Sequence, residues 1–218
     1  MLPENFLWRP VDPWVTTQRF GENRACADIA TGRRYITCDG HNPPTGYKSV
    51  YSQMKGHNGL DVIASRWQPV YAAHDGIVEE LETEVDRGLG VGIVTSKRYG
   101  CAETGQAEFF KTRYWHLIAI QVKLGDRVRP GSLIGWADST GISSGDHLHF
   151  ELKVVTKGKN GRWVNVLQDN GYFGAIDPSP YMINLFALKG STFISLIEQV
   201  ANVLDYWSDK VRGLAINK

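Results

Sequence analysis

The chain has 218 residues, a formal net charge of +1, and 42% hydrophobic residues. This composition is typical of a globular protein, and the near-neutral charge argues against nucleic-acid binding, which needs a concentrated basic face. No apolar run reaches the roughly 18 residues that a membrane-spanning helix requires. The first ten residues also lack the basic start and apolar core of a secretory signal, so that signal is either absent or removed.

The first region, residues 1–46, is rich in Pro, Gly, Asn and Thr and carries aromatic residues at Phe6, Trp8, Trp14 and Phe20. We predict an irregular arm that packs onto the main domain through these aromatic side chains. Cys26 and Cys38 either bridge a loop in an oxidising compartment, leaving Cys101 unpaired, or all three cysteines are free thiols. The odd number of cysteines favours free thiols.

The main domain is predicted at residues 47–185, where short β-rich runs alternate with turn signals. Strands this short and this frequent indicate an all-β fold with a mainly antiparallel sheet. A parallel α/β fold would need helical patterns between the strands, and the sequence has none there. The predicted strands lie at 69–73, 76–78, 90–95, 111–122, 133–137, 147–156 and 162–167.

The last region, residues 186–218, has a different pattern, with apolar residues three and four positions apart. This spacing predicts an amphipathic helix at about 191–212. The helix either covers part of the domain surface or binds a partner or a membrane surface.

The first motif that carries chemistry is Gly56-His57-Asn58-Gly59-Leu60-Asp61. The glycines allow a close approach of the backbone, so the imidazole of His57 and the carboxylate of Asp61 can converge on one point. One nitrogen and one oxygen ligand form part of a zinc shell. A surface histidine followed by a capping aspartate has the same sequence, so the motif alone does not decide.

The second motif is His147-Leu148-His149, in a predicted strand. Because residues two apart in a strand point to the same face, the two imidazoles project together, either onto a metal or into solvent. Glu151 shares this face, either as a partner of the ligands or as a residue of a salt bridge at the rim.

The remaining histidines are isolated in the sequence. His116 lies in an aromatic and apolar strand, where it either bonds a backbone carbonyl or takes part in catalysis. His41 and His74 belong to no ligand pair, and we expect both to be surface residues. Taken together, the motifs supply three ligands with an open fourth position, which is the arrangement of catalytic zinc, and two histidines to move protons.

The two motifs, H-x(3)-D and H-x-H, resemble the signature of the lysostaphin-type zinc endopeptidases. The resemblance covers roughly residues 50–155 in the right order and extends to the stretches at 69–78, 114–117 and 122–135 and to Thr140-Gly141. The insert at about 81–111, the N-terminal arm and the C-terminal helix fall outside it.

The resemblance implies a sheet like the duplicated hybrid motif, with Zn²⁺ held by His57, Asp61 and His149 and with His116 and His147 as the catalytic pair. It implies that a zinc-activated water cleaves a peptide bond of bacterial peptidoglycan, at a cell wall reached from outside the cell, from the periplasm or from a virion. Non-enzymatic alternatives are a wall-binding scaffold that regulates other hydrolases and a biotinyl- or lipoyl-type carrier, although no convincing carrier lysine is present.

Overall fold

A computed structural model describes residues 2–22, 56–85, 87–141, 143, 145–168 and 170–183, together with short strands at 26–27 and 34–35. The predicted helix at 191–212, His41 and Cys38 lie outside the described residues. The predicted boundaries after residues 46 and 185 also lie outside them, so the three-part division stays a prediction. Cys101 is described, and it is a buried free thiol.

The described regular structure is almost entirely antiparallel β-sheet, which confirms the predicted fold class. No helix in this part of the chain is long and apolar enough to cross a membrane. A single 3₁₀ turn occurs there, at Ser179–Tyr181. The strands are β1 (Thr16–Gln18), β2 (Cys26–Ala27), β3 (Arg34–Tyr35), β4 (Leu60–Ile63), β5 (Pro69–Tyr71), β6 (Gly76–Glu84), β7 (Gly88–Thr95), β8 (Tyr99–Gly100), β9 (Ala107–Ile120), β10 (Arg127–Val128), β11 (Leu133–Ala137), β12 (His147–Lys157), β13 (Trp163–Asn165) and β14 (Ala175–Ile176).

The main sheet follows the order β1-β4-β12-β9-β7-β6-β10, and β11 pairs with β5 and β9. Strand β12 pairs with β9 along one edge and with β4, β14 and β13 in succession along the other. The insert predicted at about 81–111 lengthens the β6–β7 hairpin and adds β8 and the first residues of β9. Strand β12, which carries His147 and His149, therefore lies between β4, which carries Asp61, and β9, which carries His116.

The two faces of the sheet differ in chemistry because side chains alternate along each strand. One face of β12 carries His149, Glu151 and Lys153, and we call it the polar face. The opposite face packs into the hydrophobic core, where burial of apolar surface stabilises the fold. The largest fully buried members of that core include Leu60, Phe110, Tyr114, Leu148, Phe150 and Leu152.

The N-terminal segment at 2–22 packs into the same core. Leu7 is fully buried, and its backbone exchanges hydrogen bonds of 2.8 Å with the carbonyl of Tyr181 and the amide of Ile183. Strand β1 then pairs with β4, with Gln18 opposite Asp61. The segment consequently reaches the edge of the sheet at which the candidate site lies.

The prediction that His74 is a surface residue is wrong, because its side chain is completely buried. Its Nε2 lies 2.9 Å from the hydroxyl of Thr112, its Nδ1 donates to the carbonyl of Asp75 at 2.9 Å, and its ring stacks on Phe6. Burial lowers the pKa of His74 to about 4. Phe6 and Thr112 are distant in sequence, and Asp75 contributes only a backbone carbonyl, so no local sequence pattern reveals these partners.

Candidate active site

Three of the predicted site residues meet where β4 and β12 pair, with Asp61 directly opposite His149. His57 Nε2 lies 3.0 Å from His149 Nδ1, and Asp61 Oδ1 lies 3.2 Å and 2.8 Å from these two nitrogens. All three potential ligand atoms lie within 4.8 Å of one another. They are therefore close enough to coordinate one ion.

The second nitrogen of each histidine in this cluster faces an acceptor. His57 Nδ1 lies 3.2 Å from the carbonyl oxygen of Arg19, and His149 Nε2 lies 3.3 Å from Glu151 Oε1. A carbonyl or an ionised carboxylate only accepts, so these two nitrogens can donate to it. When a metal replaces the proton between His149 and Asp61, this arrangement would leave the lone pairs of the neutral rings on His57 Nε2 and His149 Nδ1, the two atoms beside Asp61.

Gly59 allows the two strands to come this close. A Cβ atom at this position would lie 2.6 Å from the carbonyl oxygen of Phe150 and 2.9 Å from Cε1 of His149. Any side chain at Gly59 would thus displace the backbone of β12 or the ring of His149. The close approach expected from the first motif is present at this glycine.

The charges in the cluster favour the binding of a cation. Burial alone would raise the pKa of Asp61, but hydrogen bonds to His149 and His57 hold it well below its usual range. Burial alone would lower the pKa of His149, but hydrogen bonds to Asp61 and Glu151 outweigh it and raise the pKa to about 9. Without a metal, a proton on His149 balances the carboxylates, and a bound cation would take over that role.

Glu151 is a buried partner of the cluster and not a rim residue, since 0% of its side chain is exposed. It accepts a hydrogen bond from Asn58 Nδ2 at 2.9 Å, and Lys153 Nζ and Arg113 Nη1 lie 3.1 Å and 3.7 Å from its other oxygen. Burial opposes the charge of Glu151, but Lys153 and the hydrogen bond with His149 hold its pKa well below its ordinary value. A permanently ionised carboxylate therefore lies behind His149.

The charges on Glu151 and Arg113 extend into a network along the polar face. Arg113 also pairs with Glu80, at 3.0 Å, and with Glu82, and Lys111 pairs with Glu80. Strands β6, β9 and β12 contribute to this network. It fixes the carboxylate of Glu151 from the side opposite the histidines.

His147 lies beside the cluster, as its place two residues before His149 predicts. Its Nδ1 donates to the carbonyl of Gly145 at 2.8 Å, and its Nε2 lies 3.6 Å from Asp61 Oδ1. The ring of His116 lies 4.5 Å away, centroid to centroid. The two predicted catalytic histidines therefore form a pair next to the three candidate ligands.

His116 reaches this pair through an unusual backbone conformation. Regular alternation along β9 would place it on the face of Tyr114, which packs in the core. Instead His116 has a φ of 64°, in the left-handed region that residues other than glycine rarely adopt. The pairing of β9 with β7 and with β11 is irregular at this point, as expected for a bulge that redirects a side chain.

The ring of His116 is fixed by Thr140, whose carbonyl accepts from Nδ1 at 2.7 Å. The interpretation of His116 as a partner of a backbone carbonyl is thus correct for one nitrogen, and Nε2 keeps the lone pair. Burial, followed by the nearby His149 and His147, lowers the pKa of His116 to about 4. The ring is consequently a neutral proton acceptor near pH 7.

Sequence reasoning missed three supporting groups: Asn58, the carbonyl of Thr140 and the carbonyl of Arg19. Asn58 lies inside the first motif, and a side-chain amide that is buried there needs a hydrogen-bond acceptor. Its position in the motif is therefore a signal for a supporting role. Thr140 belongs to the Thr140-Gly141 stretch of the family resemblance, but the sequence pattern assigned it no role. The carbonyl of Arg19 had no signal in the sequence, because any residue carries a carbonyl.

Comparison with known proteins bears on the family of this chain. Over 131 residues the chain is 35% identical to the peptidoglycan DD-endopeptidase ShyC of Vibrio cholerae, covering 60% of this chain and 28% of that protein. Over 127 residues it is 34% identical to the glycyl-glycine endopeptidase ALE-1 of Staphylococcus capitis, covering 58% and 29%. The solved catalytic domain of lysostaphin from Staphylococcus simulans is 28% identical, with a TM-score of 0.44 and coverage of 58% and 78%.

The chain spans less than a third of the length of these two curated relatives. The family model described as "Peptidase family M23" matches residues 55–166, just over half of the chain. This match includes all five predicted site residues and confirms the predicted resemblance and the prediction of a peptidase. The chain belongs to Peptidase family M23.

Proposed function

We propose that this protein is a zinc-dependent endopeptidase that cleaves peptide bonds in bacterial peptidoglycan. The observation that carries the proposal is the convergence of His57 Nε2, Asp61 Oδ1 and His149 Nδ1, with a hydrogen-bond acceptor at the second nitrogen of each imidazole. A surface histidine pair in solvent would need neither the buried Glu151 nor the close approach at Gly59.

Two imidazole nitrogens and one carboxylate oxygen suit zinc, and three protein ligands leave a fourth position open, as in catalytic sites. His57, Asp61 and His149 would hold the ion. When bound there, zinc supplies Lewis acidity, which polarises a carbonyl and lowers the pKa of water toward about 7.

The pair formed by His116 and His147 would handle the protons. In each ring Nδ1 lies within hydrogen-bond distance of a backbone carbonyl, and Nε2 has no such partner on the backbone. Either ring can accept a proton from the attacking water and later donate it to the leaving amine. Acid–base help of this kind contributes about 10²–10⁴-fold in rate.

The choice of substrate rests on the relatives, which are named as a peptidoglycan DD-endopeptidase and a glycyl-glycine endopeptidase. Both names describe hydrolysis of peptide bonds, and the first specifies the wall polymer. We therefore place the action of this chain at the bacterial cell wall, on either a stem peptide or a cross-bridge.

The test is to load the purified protein with zinc, measure its metal content, and identify the products from purified muropeptides by mass spectrometry. His149→Ala should lose both zinc and cleavage. His74→Gln, a change at a buried histidine outside the cluster, should keep both. Zinc bound without any cleavage would favour the regulatory scaffold instead, and no zinc binding in the wild type would refute the metal site.

A further inference from the structure

A second feature of the polar face lies far from the histidines. A groove of about 330 Å³ is lined by residues of β6, β7, β9, β12 and β13 and of the loop after β7. Its aromatic lining is Phe109 and Trp163, whose rings lie edge to face with centroids 5.1 Å apart. The volume is in the range of small-ligand sites.

Polar groups surround the two rings. The guanidinium of Arg98 lies 5.2 Å from the centroid of Phe109, and Lys157 Nζ lies 5.1 Å from that of Trp163. Glu79 also lines the groove, so its charge is only weakly positive. Trp163 is only partly buried, so its ring is available for contact in the groove.

The strand register relates this groove to the histidine cluster. Val155 pairs with Phe109, and Lys157 pairs with Trp163, so these residues continue the face of β12 that carries His149. Val155 is six residues beyond His149, which corresponds to about 20 Å along the strand. The charge network of Arg113 and Glu151 lies between the two features on the same face.

We propose that this groove binds the glycan part of peptidoglycan while the attached peptide reaches the histidine cluster. This inference rests on the proposed function. An extended peptide of five or six residues spans about 17–21 Å, similar to the separation of groove and cluster. A peptide with its scissile bond at the cluster therefore places its sugar attachment at the groove.

The chemistry of the groove suits a saccharide better than a polyanion. The apolar faces of sugar rings pack against aromatic side chains, and hydroxyl and acyl oxygens accept hydrogen bonds from Arg98 and Lys157. Because Glu79 offsets one of the two cations, the groove matches a neutral or weakly acidic ligand. A strongly acidic wall polymer would meet too little positive charge.

The test measures binding of peptide-free glycan strands to the full chain by isothermal titration calorimetry. Combining Arg98→Gln, Lys157→Gln and Trp163→Phe should weaken binding at least tenfold, and exposed Arg98→Gln alone should weaken it severalfold without affecting folding. Trp8→Phe with Lys123→Gln, at an exposed aromatic and an exposed cation elsewhere, is the matched control and should bind as the wild type does.

Cleavage assays separate this inference from the proposed function. The groove variants should cleave a short sugar-free muropeptide at the wild-type rate but require at least fivefold more intact sacculi for half-maximal rate. Normal peptide cleavage with unchanged glycan binding in every variant would refute glycan binding at the groove and leave the proposed endopeptidase function standing. Glycan binding that depends on the groove residues, in a protein that cleaves no peptide, would refute the proposed endopeptidase function and support glycan binding at the groove.

Discussion

Glu151 offers a direct test of how the site is held together, because its carboxylate is buried between His149 and the cations Lys153 and Arg113. Glutamine has the same shape and keeps one oxygen that can accept from His149 Nε2–H, at 3.3 Å in the native protein. It lacks the negative charge that strengthens this hydrogen bond and offsets the two cations. We expect Glu151→Gln to weaken zinc binding and leave the three ligands unchanged.

The magnitude follows from the contacts. Partners of metal-ligating histidines typically contribute 10–100-fold in metal affinity, or about 1.4–2.7 kcal/mol. Glu151→Gln keeps an acceptor, so its zinc affinity should be lower than that of the wild type by about tenfold. Glu151→Ala removes the acceptor, so the loss of zinc affinity should approach roughly 100-fold. Because Lys153 and Arg113 lose their buried counter-charge, the free energy of unfolding of the metal-free protein should also fall, by about 3 kcal/mol.

The assay is competition with a chelator of known zinc affinity, at a temperature where urea titrations show every variant folded. The matched control is Glu82→Gln, which removes a carboxylate that pairs with Arg113 but is about one-third exposed and is not a partner of His149. This control should bind zinc as the wild type does. A zinc affinity for Glu151→Gln within twofold of the wild type would refute the assigned role of Glu151.

Three further changes test other parts of the structure. His116→Ala should keep zinc but lower kcat on a muropeptide by about 10²–10⁴-fold, and full turnover would remove His116 from the mechanism. Gly59→Ala should displace the ring of His149 and reduce zinc affinity at least tenfold by chelator competition, so native affinity would contradict the close contact. His74 has a folded-state pKa of about 4, below the unfolded value of 6.5, so the unfolded chain binds its proton first as the pH falls. The free energy of unfolding of the metal-free protein, measured by urea titration, should therefore fall by about 3 kcal/mol between pH 6.5 and 4 because of His74. His74→Gln should remove this part of the pH dependence. Equal pH dependence in both proteins would contradict the assignment.

The sequence by itself determined the all-β fold and the face of β12 that carries the site. Alternation along a strand is a local property, so it places His147, His149 and Glu151 together before any partner is known. The short spacing from His57 to Asp61 likewise limits how far apart these two side chains can lie. Each of these predictions depends on residues a few positions apart.

Only the tertiary structure decided the orientation of His116, the burial of His74 and the support of His57 by the carbonyl of Arg19. Alternation alone would turn His116 toward the core, and its positive φ occurs where the pairing of β9 with β7 and β11 is irregular. His74 is buried by Phe6 and Thr112, which are 68 and 38 positions away in the sequence. These features arise from contacts between distant segments, and a local pattern carries no information about which segments meet.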